Sequence, residues 1–240
     1  ANANGKLTGY YDYQDFLATE EGISLGIFKN SIGINNFTAM SQTTKGAENS
    51  NPKIGPLVIS EIMYNSTGGG YEYLKVTNIT SNAVALYDPL NPENSWDISG
   101  IGLKKSLLAG QSIGANESAY FVEDSIDLEQ FRNVLEISEN TLIFNYEGNL
   151  SNGGETIRLE KPAAPKIEID TVIIPYIEID KIKYDDNNPW YPDADGTGGY
   201  LKRKDNFAYG NDPNNWEVVF GIPVADAGTN QTISVNSTVF

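Results

Sequence analysis

From residue 57 onward the apolar residues return at every second position in short runs, and each run is broken by Gly, Pro, Asn or Asp. That period puts alternate side chains on opposite faces of an extended strand, and an α-helix cannot use it. Leu57, Ile59 and Glu61 alternate with Val58, Ser60 and Ile62; Leu74 and Val76 share a face; Ile157 and Leu159 share one opposite Thr156 and Arg158. Further strands are expected at 83–87, 119–123, 142–146, 177–184 and 216–220. A strand with one apolar face must bury it against another sheet, so the expected fold is all-β, an antiparallel β-sandwich. Only Ile126, Leu128, Phe131 and Leu135 have helical spacing, with Asp124 or Ser125 available as a cap. At most one short helix is expected.

The flanks read differently. Tyr10 to Tyr13 and Ile23 to Gly26 have the composition of strands that pair, while 43–51 is small and polar and is followed by Pro52 and Pro56. Residues 1–55 therefore read as an N-terminal flank, the end of a preceding module or a linker or strap. Residues 56–222 form the sandwich, and 223–240 form a linker and the start of a following module. Within the sandwich, Ile167-Glu168-Ile169-Asp170 recurs as Ile177-Glu178-Ile179-Asp180 across Pro175. The duplication predicts a hairpin or a strand extended by an insertion, with its carboxylates on a solvated face.

Composition excludes several chemistries. The 240 residues contain no Cys and no His, which removes disulfides, thiolate metal sites, Ser-His-Asp and Cys-His catalysis, and most zinc sites. Lys+Arg 16 against Asp+Glu 32 gives a net charge of −16, which repels phosphate backbones and anionic membrane surfaces. Lys202-Arg203-Lys204 is the one basic cluster, and Asp205 adjoins it. No nucleic-acid partner is expected. No run of 18 apolar residues appears, so direct membrane insertion is not expected, and a signal peptide or anchor is expected outside this sequence.

An ordered series of segments resembles the lamin-tail domain in its prokaryotic, secreted form. Leu57-Val58-Ile59-Ser60-Glu61-Ile62-Met63-Tyr64-Asn65 is similar to that family's first strand and its Asn-containing turn, and Tyr71 to Asn78 to its second. The likeness continues through Trp96 to Gly100, Leu108 to Gly110, Tyr120 to Val122, Leu150 to Leu159 and Asp180 to Tyr184, and closes with Trp190 to Leu201. It covers about residues 56–220, and order and spacing carry it rather than any one piece. Two departures are the longer 162–176 region and Lys104-Lys105-Ser106, which shortens a strand. The family implies an immunoglobulin-like β-sandwich, and Val224 to Thr238 resembles the first strand of a PKD-like repeat.

Candidate sites are few. Asp185, Asp186, Asp193 and Asp195 offer hard oxygens for Ca²⁺. Tyr191 and Lys202 stand where an EF-hand loop needs ligands, and a turn capped by Asp195 with Gly196 at positive φ explains the same letters. Trp190 and Tyr191 are candidates for a glycan platform, with core packing as the alternative. Asn65, Asn78, Asn116 and Asn149 are candidate N-glycosylation sites, as are Asn36, Asn230 and Asn236. No catalytic residue is singled out. The expected function is a non-catalytic extracellular or cell-surface module, a spacer or adhesive unit whose partners are neighbouring modules of its own polypeptide and a surface protein or glycan. The alternative is a glycan- or Ca²⁺-binding module accessory to a hydrolase. No cofactor is expected apart from that Ca²⁺.

Overall fold

The computed structural model describes residues 4–6, 9, 13–67, 70–169 and 171–221. Tyr10, Tyr11, Asp12, Asp170, Asn230, Asn236 and the PKD-like stretch lie outside the described residues. The strands that position everything else are β1 (Leu25–Lys29), β2 (Asn35–Ala39), β3 (Leu57–Met63), β4 (Tyr73–Asn78), β5 (Asp97–Ser99) and β6 (Gly102–Leu103). They continue with β7 (Ser118–Glu123), β8 (Leu142–Glu147), β9 (Glu155–Pro162), β10 (Tyr176–Tyr184), β11 (Gly199–Arg203) and β12 (Trp216–Phe220). The expected run at 83–87 is broken into two-residue pieces, Val84–Ala85 and Tyr87–Asp88.

Two sheets make the sandwich. One has seven strands in the order β12-β11-β3-β4-β7-β8-β6, the other three in the order β10-β9-β5. Between them lies one cluster of buried side chains, including Leu57, Ile59, Trp96, Phe121, Ile157, Leu159, Ile182 and Trp216. The fold is an all-β sandwich with one short α-helix. It is not antiparallel throughout, because β7 and β8 run parallel. A parallel pair needs a crossover, and helix α1 (Leu128–Val134) supplies it. Its cap is Asp127, whose side chain accepts from Gln130 N–H at 2.9 Å, rather than Asp124 or Ser125. Ser125 is instead held by Glu123.

The helix covers the outer face of the large sheet. Phe131 packs edge-on against Tyr71 and Tyr73, each at 5.5 Å between ring centroids, and buries Met63 and Val122 with it. This second cluster buries Met63 at the end of β3, a strand whose seven residues are all buried. A bulge between Ile59 and Glu61 then shifts the alternation. Ile62 joins Leu57 and Ile59 in the main core, while Glu61 turns to the outer face beside Lys75, at 3.1 Å. The simple alternation expected for 57–62 is corrected there.

Strand direction defines two ends. β3 starts just after Gly55 and Pro56, and β12 ends at Phe220, which pairs with Gly199. β11 pairs antiparallel with both β3 and β12, so β3 and β12 run the same way on either side of it. The start of β3 and the end of β12 therefore lie at opposite ends of the sandwich.

The N-terminal segment packs along the small sheet. β1 pairs with β2, not with the region of Tyr13. Ala18 N–H donates to Tyr176 O at 3.1 Å beside the edge strand β10. The β1–β2 turn is tied to the 205–212 loop by Asn30 donating to Asn211 O and by Ser31 donating to Asp212. Phe28 meets Tyr209 edge-on at 5.4 Å. The repeated Ile-Glu-Ile-Asp motifs do not pair with each other: Lys166–Glu168 pairs with Thr171–Ile173 in a projecting hairpin, and the second copy lies in β10.

Candidate functional site

Asn65, Asp185, Asp186, Trp190, Tyr191, Asp193 and Asp195 gather at the end where β3, β10 and β12 finish, because residues 185–198 cross between sheets there. Trp190 is 5% exposed and lies 6.0 Å from Trp216. Its ring is core, so no face is open to stack on a sugar, and the glycan-platform reading is corrected for this residue. Tyr191 is half-buried and its hydroxyl lies 3.4 Å from Pro213 O.

Three of the four aspartates, Asp185, Asp186 and Asp195, are turned to the backbone or an amide. Asp195 accepts from Asn65 Nδ2 at 2.5 Å, and Gly196 N–H donates to Asn65 O. Asp193 is exposed, and its carbonyl accepts from the Thr197 hydroxyl. The Asn187 N–H donates to Asp185 Oδ1 at 3.0 Å and holds that carboxyl below the ordinary aspartate range, and the Asn187 amide donates to Asp186 at 2.5 Å. Among the described residues no three His, Cys, Asp or Glu side chains come together as a metal-binding group. Asp185, Asp186 and Asp195 do share one neighbour. Burial pushes the Tyr64 hydroxyl well up, and their charges add to the shift.

Tyr64 begins a buried tyrosine and carboxylate cluster that the sequence reading missed. Its ring lies 4.8 Å from Tyr184, and its buried hydroxyl has no hydrogen-bond partner among the described residues. The Tyr184 hydroxyl is 2.8 Å from Ser151 O and 3.0 Å from Glu155 Oε1. Glu72 Oε1 accepts from the Tyr146 hydroxyl at 2.5 Å and from Leu150 N–H at 2.6 Å. These bonds pin the 148–154 turn to β4 and β10. Beside them lies a cleft of about 510 Å³ lined by Tyr64, Asn65, Ser66, Glu72, Asn149 and Asn152. Amides and hydroxyls with one engaged carboxylate, Glu72, suit hydrogen bonding to a neutral polar group.

A second cleft of about 510 Å³ lies between the N-terminal segment and the outer face of the small sheet, with Phe16, Ile23, Leu25, Phe37 and Ile177 in its walls. Glu20 pairs there with Lys53 and Lys161, and Glu178 with Arg158 and Lys181, while Asp15 and Glu160 also line it.

The glycosylation candidates separate by burial. Asn116 and Asn149 are exposed, and Asn65 is half-buried against Asp195. Asn78 is fully buried, its amide donating to Asn82 O, Ile113 O and Gly114 O, and its Oδ1 accepting from Thr80. Folded Asn78 presents no free amide for modification, which corrects that candidate. Asn36 is also buried, accepting from Asn211 at 2.7 Å. The basic cluster dissolves as well, because Arg203 points inward to Asp180 at 2.7 Å. Asp180 is thus not on a solvated acidic face.

No protein-family model, curated protein or solved structure matches this chain. Among the described residues, no helix is long and apolar enough to cross a membrane.

The carboxyl groups set a pH dependence. Burial pushes Glu72 and Glu160 above the ordinary glutamate range. Each binds its proton more tightly in the folded chain, so stability rises as the pH falls from neutral toward their raised values. The net charge of −16 acts in the same direction, since protonation relieves repulsion. Glu20 opposes them. Burial alone would raise it, but bonds to Lys53 and Lys161 carry it below the ordinary range, and its contribution is lost as the pH falls through that lowered value. Melting curves are therefore expected to show a higher Tm near pH 5 than near pH 8, by roughly 2–4 °C per kcal/mol gained, and a decline under strong acid. A Tm that falls steadily from pH 8 to pH 5 would refute this.

Proposed function

We propose that this chain is a non-catalytic spacer module of an exported, extracellular or cell-surface protein, carrying load between neighbouring modules of the same polypeptide. The observation that carries the reading is the common direction of β3 and β12 on either side of β11, with the start of β3 and the end of β12 at opposite ends. Once tension has drawn the docked N-terminal segment off β10 and the 205–212 loop, it pulls β3 and β12 in opposite directions along their own axes. The hydrogen bonds through β11 then share that load in shear instead of opening one by one. The buried Arg203 strengthens this plane, since it joins β11 to the Ile59 carbonyl of β3 and to Asp180 of β10. The ordered likeness of residues 56–220 to the secreted lamin-tail family supports placement in a string of modules.

Binding of a glycan or Ca²⁺ is the second reading, and the polar cleft over Tyr64 is the observation in its favour. Thermal melting in Ca²⁺ and then in EDTA separates the two. An ion held at a hundred times its dissociation constant adds about 2.7 kcal/mol, whereas a spacer without a cation site melts at one temperature in both. An upward shift reversed by EDTA would move the function to ion binding.

A further inference from the structure

The hairpin between Pro162 and Tyr176 carries apolar side chains that nothing covers. Its strands, Lys166–Glu168 and Thr171–Ile173, form a sheet of two, with no third strand among the described residues. Ile167 is 79% exposed, Val172 64% and Ile169 98%. Open edges invite pairing, and proteins usually blunt or cover them. The chain covers the edge of β10 with Ala18 and Asn211, yet leaves this one bare. Ile169 also sits in the two-residue turn at φ 45°, a left-handed conformation that a β-branched residue resists and where Asn or Gly is usual. Within one copy, that isoleucine gains no burial in return for its strain.

We propose that this hairpin is a self-association surface, through which two copies of the chain join about a twofold axis by antiparallel pairing of their Lys166–Glu168 strands. Glu168 opposite Thr171 closes the turn and is a hydrogen-bonded pair, so the next pair, Ile167 and Val172, is not. The Ile167 N–H and C=O therefore point to the open edge, ready to exchange bonds with Ile167 of a second copy. That axis sets Lys166 opposite Glu168 of the second copy, and Glu168 opposite its Lys166. Centring the axis on either charged residue would set like charge against like. The charges thus select the one register that the backbone permits. On the other face, Ile167 and Val172 of both copies become one apolar row. The contact is smaller than a stable interface needs, so association is reversible and strengthened by tethering many copies on a surface. It does not depend on how the sandwich carries load.

Sedimentation equilibrium of the full chain, from about 10 µM to about 1 mM, tests this. A reversible monomer–dimer equilibrium is expected. Lys166→Glu and Glu168→Lys should each weaken it by about tenfold or more, and the two together should restore it. All three hairpin residues are exposed, and equal melting temperatures would verify that the variants fold. A chain that stays monomeric, a dimer indifferent to the single reversals, or a double variant that fails to recover would each overturn the proposal.

Discussion

Replacing Arg203 with Met is expected to destabilise the fold by about 3–5 kcal/mol, the cost of stranding a buried carboxylate. Arg203 and Asp180 lie between the two sheets, with side chains 0% and 5% exposed. Burial pushes the Asp180 carboxyl up, while the guanidinium at 2.7 Å and the Ile59 N–H at 2.9 Å pull it part of the way back. The same guanidinium donates to Ile59 O and Ala208 O, so its loss also orphans two carbonyls. The space is tight. A Cβ added at Gly210 would lie 2.7 Å from Asp180 Oδ1, so the 205–212 loop can close over the pair only with glycine there. Urea denaturation reads the effect as a lowered midpoint. Asp180→Leu combined with Arg203→Met should recover most of the loss, because a buried pair replaced by apolar groups removes the stranded charge. An unchanged midpoint for Arg203→Met would mean that the pair does not join the sheets.

The second large effect is expected at Asn78. Asn78→Ala removes one side chain that satisfies three carbonyls and the Thr80 N–H at the end where β3 starts. Each buried group left unpaired costs about 1–3 kcal/mol, so a total of about 2–4 kcal/mol is expected once water reaches the outer ones. Denaturation of the variant against the parent measures it. A loss below about 0.5 kcal/mol, the range of ordinary surface substitutions, would refute the role. Asn78→Asp should be similarly damaging, since a carboxylate accepts but cannot donate to the carbonyls.

These residues share a signal that was present in the sequence. Glu72 and Asn78 stand at the same parity as Leu74 and Val76, Asp180 at that of Ile182 and Tyr184, and Arg203 at that of Leu201. A polar residue on the apolar parity of a strand is an inward polar residue, and here each has a built set of partners. Alternation was legible as strands and as two layers, since β3, β4, β7, β8, β9, β10 and β12 lie where it put them. Three features were not legible. The bulge at Ser60 changes which face Glu61 occupies, the parallel β7–β8 pair needs knowledge of a crossover, and the N-terminal segment docks through contacts separated by as many as 181 residues. Local period carries no information about such distant pairings. The Trp190 stretch left a glycan platform and core packing both open for a related reason: turn formers and aromatics suit either, and the turn here delivers Trp190 and Ala194 into the core.

The absence of Cys from the sequence makes transfer of load along the chain directly measurable, because pulling points can be placed by single engineered cysteines. Pulling through Pro56 and Phe220 loads β3 and β12 in shear across β11. Pulling through Thr197 and Phe220, both at the end where β12 finishes, peels β12 from β11 one pair at a time. Single-molecule extension should show one cooperative rupture in the first geometry, releasing roughly 550 Å at about 3.5 Å per residue, at a clearly higher force than the first rupture in the second. Equal forces in the two geometries, or a gradual low-force extension through Pro56 and Phe220, would contradict the account.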